Sequence, residues 1–324
     1  MKIISSITLI AILALFAAAD SKAQNVFVAA SGNIYEIMPD GTPSLFASGD
    51  DPIVGLAFNS SGNLFAITID GNVYEFGPDG TQSTFATGLS TPQGLTFDNA
   101  GNLYVSQNNG DIIEITTNGS QSVFAYGFSG PVGLAFDNKG DLFVSSKHGN
   151  NIMEIDTNGS KSTFASGLSG PLTLAFDGTG NLFIANAVGN IIEINTNGIR
   201  STFTSGLEGP AGLAFDSAGN LFEADETSGN IYKFTPDGNR TAVSSGPNFA
   251  GLAIEPLPQL QAVMTNSACQ VAVSMPSPYY STILQASTDT VNWFDICTNI
   301  PPFTFTDSAC SQFPFRFFRT SASH

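Results

Sequence analysis

The chain is 324 residues long with only 11% of them charged, and its 27 acidic side chains against 10 Lys and Arg give a net charge of −17. That balance argues against nucleic acid or an anionic membrane surface as a partner, because binding either needs clustered cations. The length suffices for one large domain or two smaller ones, and Gly, Ser, Thr and Asn in abundance beside Phe, Val and Ile suit an all-β protein with many tight turns.

Residues 1–23 combine Lys2, an apolar run from Ile7 to Ala19, and small residues at Ser21 and Ala23. This is the layout of a secretory signal peptide, and the run falls short of the ~20 apolar residues that a transmembrane helix needs. The expectation is an exported protein, secreted or held in the periplasm or at the cell surface, with no stable membrane insertion after cleavage.

From residue 24 the chain repeats one sentence. The tetrad GLAF at 55 returns as GLTF at 94, GLAF at 133, TLAF at 173, GLAF at 212 and GLAI at 251, a spacing of 39 residues four times and 40 once. Each copy holds four short apolar runs; around the third tetrad they are GLAF (133–136), DLFVS (141–145), IMEI (152–155) and STFAS (162–166). Runs this short, rich in Phe, Ile, Val and Leu and separated by Asp, Asn and Gly, predict β-strands, and four strands per unit of about 40 residues predict a β-propeller blade.

The polar repetition belongs to the turns. Asp98, Asp137, Asp177 and Asp216, with Asn59 in the first copy, stand between the first and second strands, and Asp40, Asp79, Asn118, Asn158, Asn197 and Asp237 between the third and fourth. Asp and Asn bond their own local backbone and the neighbouring Gly accepts positive φ, so these residues are expected to form hairpins rather than to bind metal. Second-type and first-type strands each number six, but NVFVA (25–29) opens the array as a second-type strand while GLAI (251–254) closes it unpartnered. The expected architecture is all-β: a six-bladed propeller over 24–257 in which GLAI joins the N-terminal strands to complete one blade, a closure that removes exposed edges.

The pattern P-x-G-L-A-F-D-x-x-G-N-L-F-V-x-x-x-x-G-N-I-x-E-I, clearest over 131–155 and 210–234, resembles NHL repeats, whose Asp and Asn match Asp225 and Asn230. Turns such as Ile37-Met-Pro-Asp-Gly extend the resemblance to the six-bladed group that includes gluconolactonase-like enzymes and streptogramin lyases. The resemblance implies the fold; it does not transfer a reaction, since such propellers serve as protein-binding modules and as enzymes.

In a propeller of this type the loops after the second strands share one face with those leading into the next blade, and here the copies differ most. They bring Asp50, Asp51, Asp70, Asn108, Lys147, His148, Asn186, Asp225 and Glu226 forward as candidate binding residues. Asn186, Asp225 and Glu226 are also candidate ligands for Ca²⁺, which takes six to eight oxygens in irregular geometry, and the gluconolactonase-like enzymes hold a metal with the same residue types. A solvated acidic rim accounts for the same residues without any ion. His148 is the one histidine inside the array and the weak candidate for a general base, whereas the streptogramin lyases rely on more than one. No P-loop, HExxH or GxSxG motif is present.

After Glu255-Pro-Leu-Pro the repeat ends, and six alternating runs over 258–324 predict a small β-sandwich anchored by Trp293, similar to C-terminal modules of exported bacterial proteins. All three cysteines, Cys269, Cys297 and Cys310, lie there; three pairings are possible, with one thiol left over. The functional expectation is a monomeric, non-catalytic propeller that binds an extracellular protein or glycan, with a Ca²⁺-dependent lactonase or related hydrolase as the alternative.

Overall fold

The computed structural model describes residues 24–256 apart from 39, 247 and 250, together with six strand segments between 259 and 322. The segment 1–23, Trp293, Cys310 and His324 lie outside the described residues. The strands run β1 (Val26–Ala30), β2 (Asn33–Ile37) and β3 (Pro43–Ser48), then β4 (Ile53–Phe58), β5 (Leu64–Thr68), β6 (Val73–Phe76) and β7 (Gln82–Ala86). There follow β8 (Pro92–Phe97), β9 (Leu103–Gln107), β10 (Ile112–Ile115) and β11 (Gln121–Ala125), and β12 (Pro131–Phe136), β13 (Leu142–Ser146), β14 (Asn151–Ile155) and β15 (Lys161–Ser166). The array ends with β16 (Pro171–Phe176), β17 (Leu182–Asn186), β18 (Asn190–Ile194) and β19 (Arg200–Ser205), then β20 (Pro210–Phe215), β21 (Leu221–Asp225), β22 (Asn230–Phe234), β23 (Arg240–Ser245) and β24 (Leu252–Ile254).

These form six four-stranded antiparallel sheets, the blades of a propeller. Blade one has the order β24-β1-β2-β3, with Val26 opposite Ile254 and Val28 opposite Leu252; blades two to six are the consecutive meanders beginning at β4, β8, β12, β16 and β20. Each second strand is covered on both faces by neighbouring blades, which is why β5, β9, β13, β17 and β21 are buried along their whole length. Outer strands are wetter and correspondingly polar, as QSTFA in β7 and KSTFAS in β15.

Six apolar clusters fill the six junctions. At five of them a ring on the second strand receives edge contacts from its own outer strand and from the next blade's inner strand: Phe27 from Phe46 and Phe58, Phe65 from Phe85 and Phe97, Tyr104 from Phe124 and Phe136, Phe143 from Phe164 and Phe176, Phe183 from Phe203 and Phe215. Such edge-to-face pairs add to the burial they accompany. The sixth junction, between blades six and one, has Val243 and Ile254 around Phe222, with Phe249 and Tyr35 packed nearby.

Near the axis the inner strands approach closely. A Cβ on Gly94 would fall 2.3 Å from the Val132 carbonyl oxygen, and one on Gly133 2.4 Å from that of Leu172. Ser106 and Ser145 stitch these same layers: each hydroxyl accepts the N–H of its own blade's glycine, Gly94 or Gly133, and donates to the next blade's carbonyl at Val132 or Leu172. The turn residues act as expected for hairpins, with Asp98, Asp137, Asp177 and Asp216 each accepting the backbone N–H groups two and four residues ahead.

The chain divides after Pro256 into a second unit. Its described strands are β25 (Gln259–Thr265), β26 (Ala268–Ser274), β27 (Thr282–Ser287), β28 (Phe294–Asn299), β29 (Phe303–Asp307) and β30 (Phe317–Ala322), forming two three-stranded sheets, β25-β26-β29 and β28-β27-β30. Cys269 lies in the first sheet and Cys297 in the second.

Candidate functional site

The face carrying the loops after the second strands is built by backbone alone before any side chain is considered. In blade two, Ile69 N–H donates to Pro52 and Leu89 N–H to Gly71; in blade five, Ala187 N–H donates to Gly170 and Leu207 N–H to Gly189. Thus in blades two to six the loop after the second strand is pinned to both loops that flank its blade's inner and outer strands. The approach is tight enough that a Cβ on Gly71 or Gly189 would lie 2.1 Å from a carbonyl oxygen, and both glycines have φ above +80°. In blade four the same role falls to Asn150, at φ 54°, a conformation that Asn tolerates better than most residues.

On this pinned rim the candidate residues separate into groups. Asp50 and Asp51 line a cleft of about 180 Å³ together with Thr68 and Tyr74. Asp51 accepts hydrogen bonds from the Tyr74 hydroxyl and from Asn72 Nδ2, both 3.3 Å. Desolvation first, and then the Asp51 carboxylate with a smaller contribution from Asp70, push the Tyr74 phenol up; Asp50 and Asp51 share this cleft between blades one and two, and Asp70 stands on the loop after β5. Ile69, beside Asp70, is 51% exposed, and Val188 in the equivalent loop of blade five is 66% exposed.

Asn186 and Asp225 do not join that cleft. Both are buried at the ends of β17 and β21; by strand alternation Asn186 faces blade four with Ile184, and Asp225 faces blade five with Leu221. Asn186 Nδ2 donates to Asn190. Asp225 accepts three backbone N–H groups, Glu208 at 2.7 Å, Gly209 at 3.1 Å and Ser228 at 2.9 Å. Burial pushes its carboxyl up, but these amides together outweigh that and hold it below the usual range. Its work is to fix the loop leading into blade six, and Glu226 beside it is exposed.

Among the described residues, no group of three or more His, Cys, Asp or Glu side chains is placed to hold a metal ion. Asn186, Asp225 and Glu226 are placed apart in their surroundings: Asp225 is engaged by three backbone amides, Asn186 faces blade four, and Glu226 is exposed. Asn108 and Lys147 are exposed, and their backbone N–H groups donate to the carbonyls of Thr91 and Gly130. The His148 ring lies over Gly130, where an added Cβ would sit 2.5 Å from Nδ1, and among the described residues it has no Ser or Asp hydrogen-bond partner.

The channel itself is narrow, a cavity of about 80 Å³ walled by glycines and by leucines such as Leu56, Leu134 and Leu213, with Gln93 and Thr173 its polar members. At the turn-bearing end a cleft of about 300 Å³ opens between blades three and four over Tyr104, Phe124 and Phe136. Sequence reasoning missed three buried polar groups near the axis, Ser106, Ser145 and Glu223. Aligning second strands position by position exposes them, because the other copies are apolar there.

Fold and face define a six-bladed β-propeller. No protein-family model and no curated protein sequence matches the chain. Among solved structures it is similar to a chain of a nidogen–laminin complex, at 19% identity and a TM-score of 0.66 over 72% of this chain and 99% of that one. A streptogramin B lyase matches at 14% identity and a TM-score of 0.57, covering 81% of this chain and 93% of that one. A gluconolactonase from Xanthomonas campestris matches at 14% identity and 0.58, covering 78% and 93%. At these identities the likeness is one of fold.

Proposed function

We propose that this chain is an exported, monomeric, non-catalytic propeller that binds an extracellular protein or a glycan through its channel-face loops. The observation that carries the reading is the composition of that rim: rigidly pinned loops present Ile69 to water next to Asp70 on blade two, close to the Asp50 and Asp51 cleft, and Val188 to water in the equivalent loop of blade five on the opposite side of the ring. Exposed apolar side chains edged by charge are the makings of a recognition surface, and carboxylates without neighbouring cations favour a partner with basic groups. The nidogen–laminin neighbour supports the reading by placing a similar fold in a protein–protein complex. Export rests on the pattern of residues 1–23.

The alternative, a Ca²⁺-dependent lactonase, has a gluconolactonase among its fold neighbours in its favour; against it, Asp225 is already taken up by three backbone amides. The deciding experiment screens the mature protein against extracellular proteins and a glycan array, then titrates any hit against Ile69→Ser/Val188→Ser and Asp50→Asn/Asp70→Asn variants. Weakening of about tenfold or more by either pair supports the reading, as expected when rim contacts carry the affinity. Metal-dependent turnover of a lactone, lost in Asp225→Asn, would replace it with the hydrolase.

A further inference from the structure

Glu223 is the third residue of β21, where the other second strands carry Val28, Ala66, Val105, Val144 and Ile184. It is fully buried, and neither carboxylate oxygen has a hydrogen-bond partner among the described residues. By strand alternation it shares the face of Leu221, which packs with Phe183 and Ala185 in the junction between blades five and six.

Across that junction stands a second departure from the repeat. Thr173 is third in β16, where the other five inner strands have Gly55, Gly94, Gly133, Gly212 and Gly251, and its Oγ1 is likewise buried without a partner. The Gly133 measurement shows where a substituent at this position goes: its Cβ would meet Leu172 O and, at 2.8 Å, Thr173 Cα of the next inner strand. Thr173 is therefore directed at the stretch Ala211 to Leu213, and Leu213 is the cross-strand neighbour of Glu223. The layer contains Ala185 where Ser106 and Ser145 fill the equivalent place in two other junctions. Two polar substitutions, both unsatisfied, thus face one junction from its two sides, with a methyl-sized side chain in the same layer.

A buried carboxyl and hydroxyl without partners are costly, and in native proteins such groups point to an occupant. We propose that the junction of blades five and six is a binding site for a small hard cation, with Glu223 and Thr173 among its ligands. All the orphan atoms are oxygens, which select Na⁺, K⁺, Mg²⁺ or Ca²⁺ over softer ions. Thr173 also lines the axial cavity, which supplies a path of entry. The ion replaces the proton of the Glu223 carboxyl, so one proton leaves to solvent for each ion bound. Burial first and the Asp225 carboxylate second favour that proton when the site is empty; Arg240, stacked on Tyr232, opposes them. The facing residues Thr173 and Ala175 of β16, Phe183 and Ala185 of β17, and Leu213 of β20 bring no charge. The site is separate from the rim residues assigned to partner binding, and its test does not depend on them.

The test uses the mature protein, stripped with chelator and exchanged into choline chloride, melted with NaCl, KCl, MgCl₂ or CaCl₂ at pH 6 and pH 8. At least one cation raises the melting temperature saturably beyond the choline control, with apparent affinity increasing up to about tenfold per pH unit because a proton is displaced. Glu223→Gln folds, melts above the wild type without cation, and loses the shift; Thr173→Gly weakens it several-fold. Glu226→Gln, which alters the channel-face set, retains it. No cation-specific shift in the wild type, or an equal shift in Glu223→Gln, overturns the proposal, and a pH-dependent melt indifferent to cations assigns the junction to a protonated carboxyl beside water instead.

Discussion

One buried carboxyl, Glu223, gives the fold a pH dependence on the alkaline side. Burial, and then the neighbouring Asp225, push Glu223 up to about 9 from the ordinary 4.5. The folded state keeps a proton that the unfolded state releases, so this contribution is complete below about pH 4.5 and is lost as pH rises toward 9, by at most about 1.4 kcal/mol per pH unit. In chelated, cation-free buffer the urea midpoint of the wild type should fall between pH 5 and pH 8.5 relative to that of Glu223→Gln; parallel profiles would refute this. The axial layers make a complementary prediction. Gly133→Ala places a Cβ against the Leu172 carbonyl and should cost about 1–3 kcal/mol, with Ser145→Ala in the same range because it strands Gly133 N–H and the Leu172 carbonyl. Urea denaturation of each variant measures both. None of these roles was legible from residue type alone: Ser145 and Glu223 stand out only when copies are aligned by position in the strand, and their partners lie on other strands.

Among the elements, the seam is the weak one. β24 has three residues, and its junction lacks the aromatic trio that the other five share. Leu252→Ala removes a buried side chain from that cluster and should cost about 2–5 kcal/mol in urea unfolding. Hydrogen exchange should release the amides of β1 and β24 before those of β13 and β17, since local opening follows local packing; equal protection throughout would contradict the ranking. Chemistry reinforces the weakness: Asn25 Nδ2 contacts Glu36 at 2.7 Å and Glu255 at 3.2 Å, and burial, followed by the Glu36 charge, pushes Glu255 up to about 7. Folded Glu255 holds its proton longer than the unfolded chain does, so seam stability should decline from about pH 4.5 to 7, and Glu255→Gln should flatten that decline in exchange measured at pH 5 and 8. The elements themselves were legible throughout, because short apolar runs alternate with turn residues whose backbone bonds are local. The short β24 was recognisable as the last tetrad for the same reason.

At the scale of the whole molecule the charge of −17 acts on association more than on fold. If a basic partner docks at the Asp50 and Asp70 rim, its association rate should fall by at least several-fold between low and physiological salt, while the Ile69→Ser variant should chiefly quicken dissociation. Stopped-flow or surface-plasmon measurements separate the two; an association rate indifferent to salt would remove these carboxylates from the interface.

Periodicity and turn chemistry by themselves determined the strands, the count of blades and the face on which the copies diverge, because each of these depends on residues within one repeat. Convergence was decided only by the tertiary structure. Asp225 and Asn186 read as oxygen ligands on neighbouring loops, yet one is taken up by three backbone amides and the other faces a different blade. Glu223 and Thr173 lie 50 residues apart in the chain and read as isolated exceptions until the blades bring them to one junction. The physical reason is that a propeller's junctions and rim join side chains from different repeats, so their geometry is a property of the closed ring rather than of any one copy.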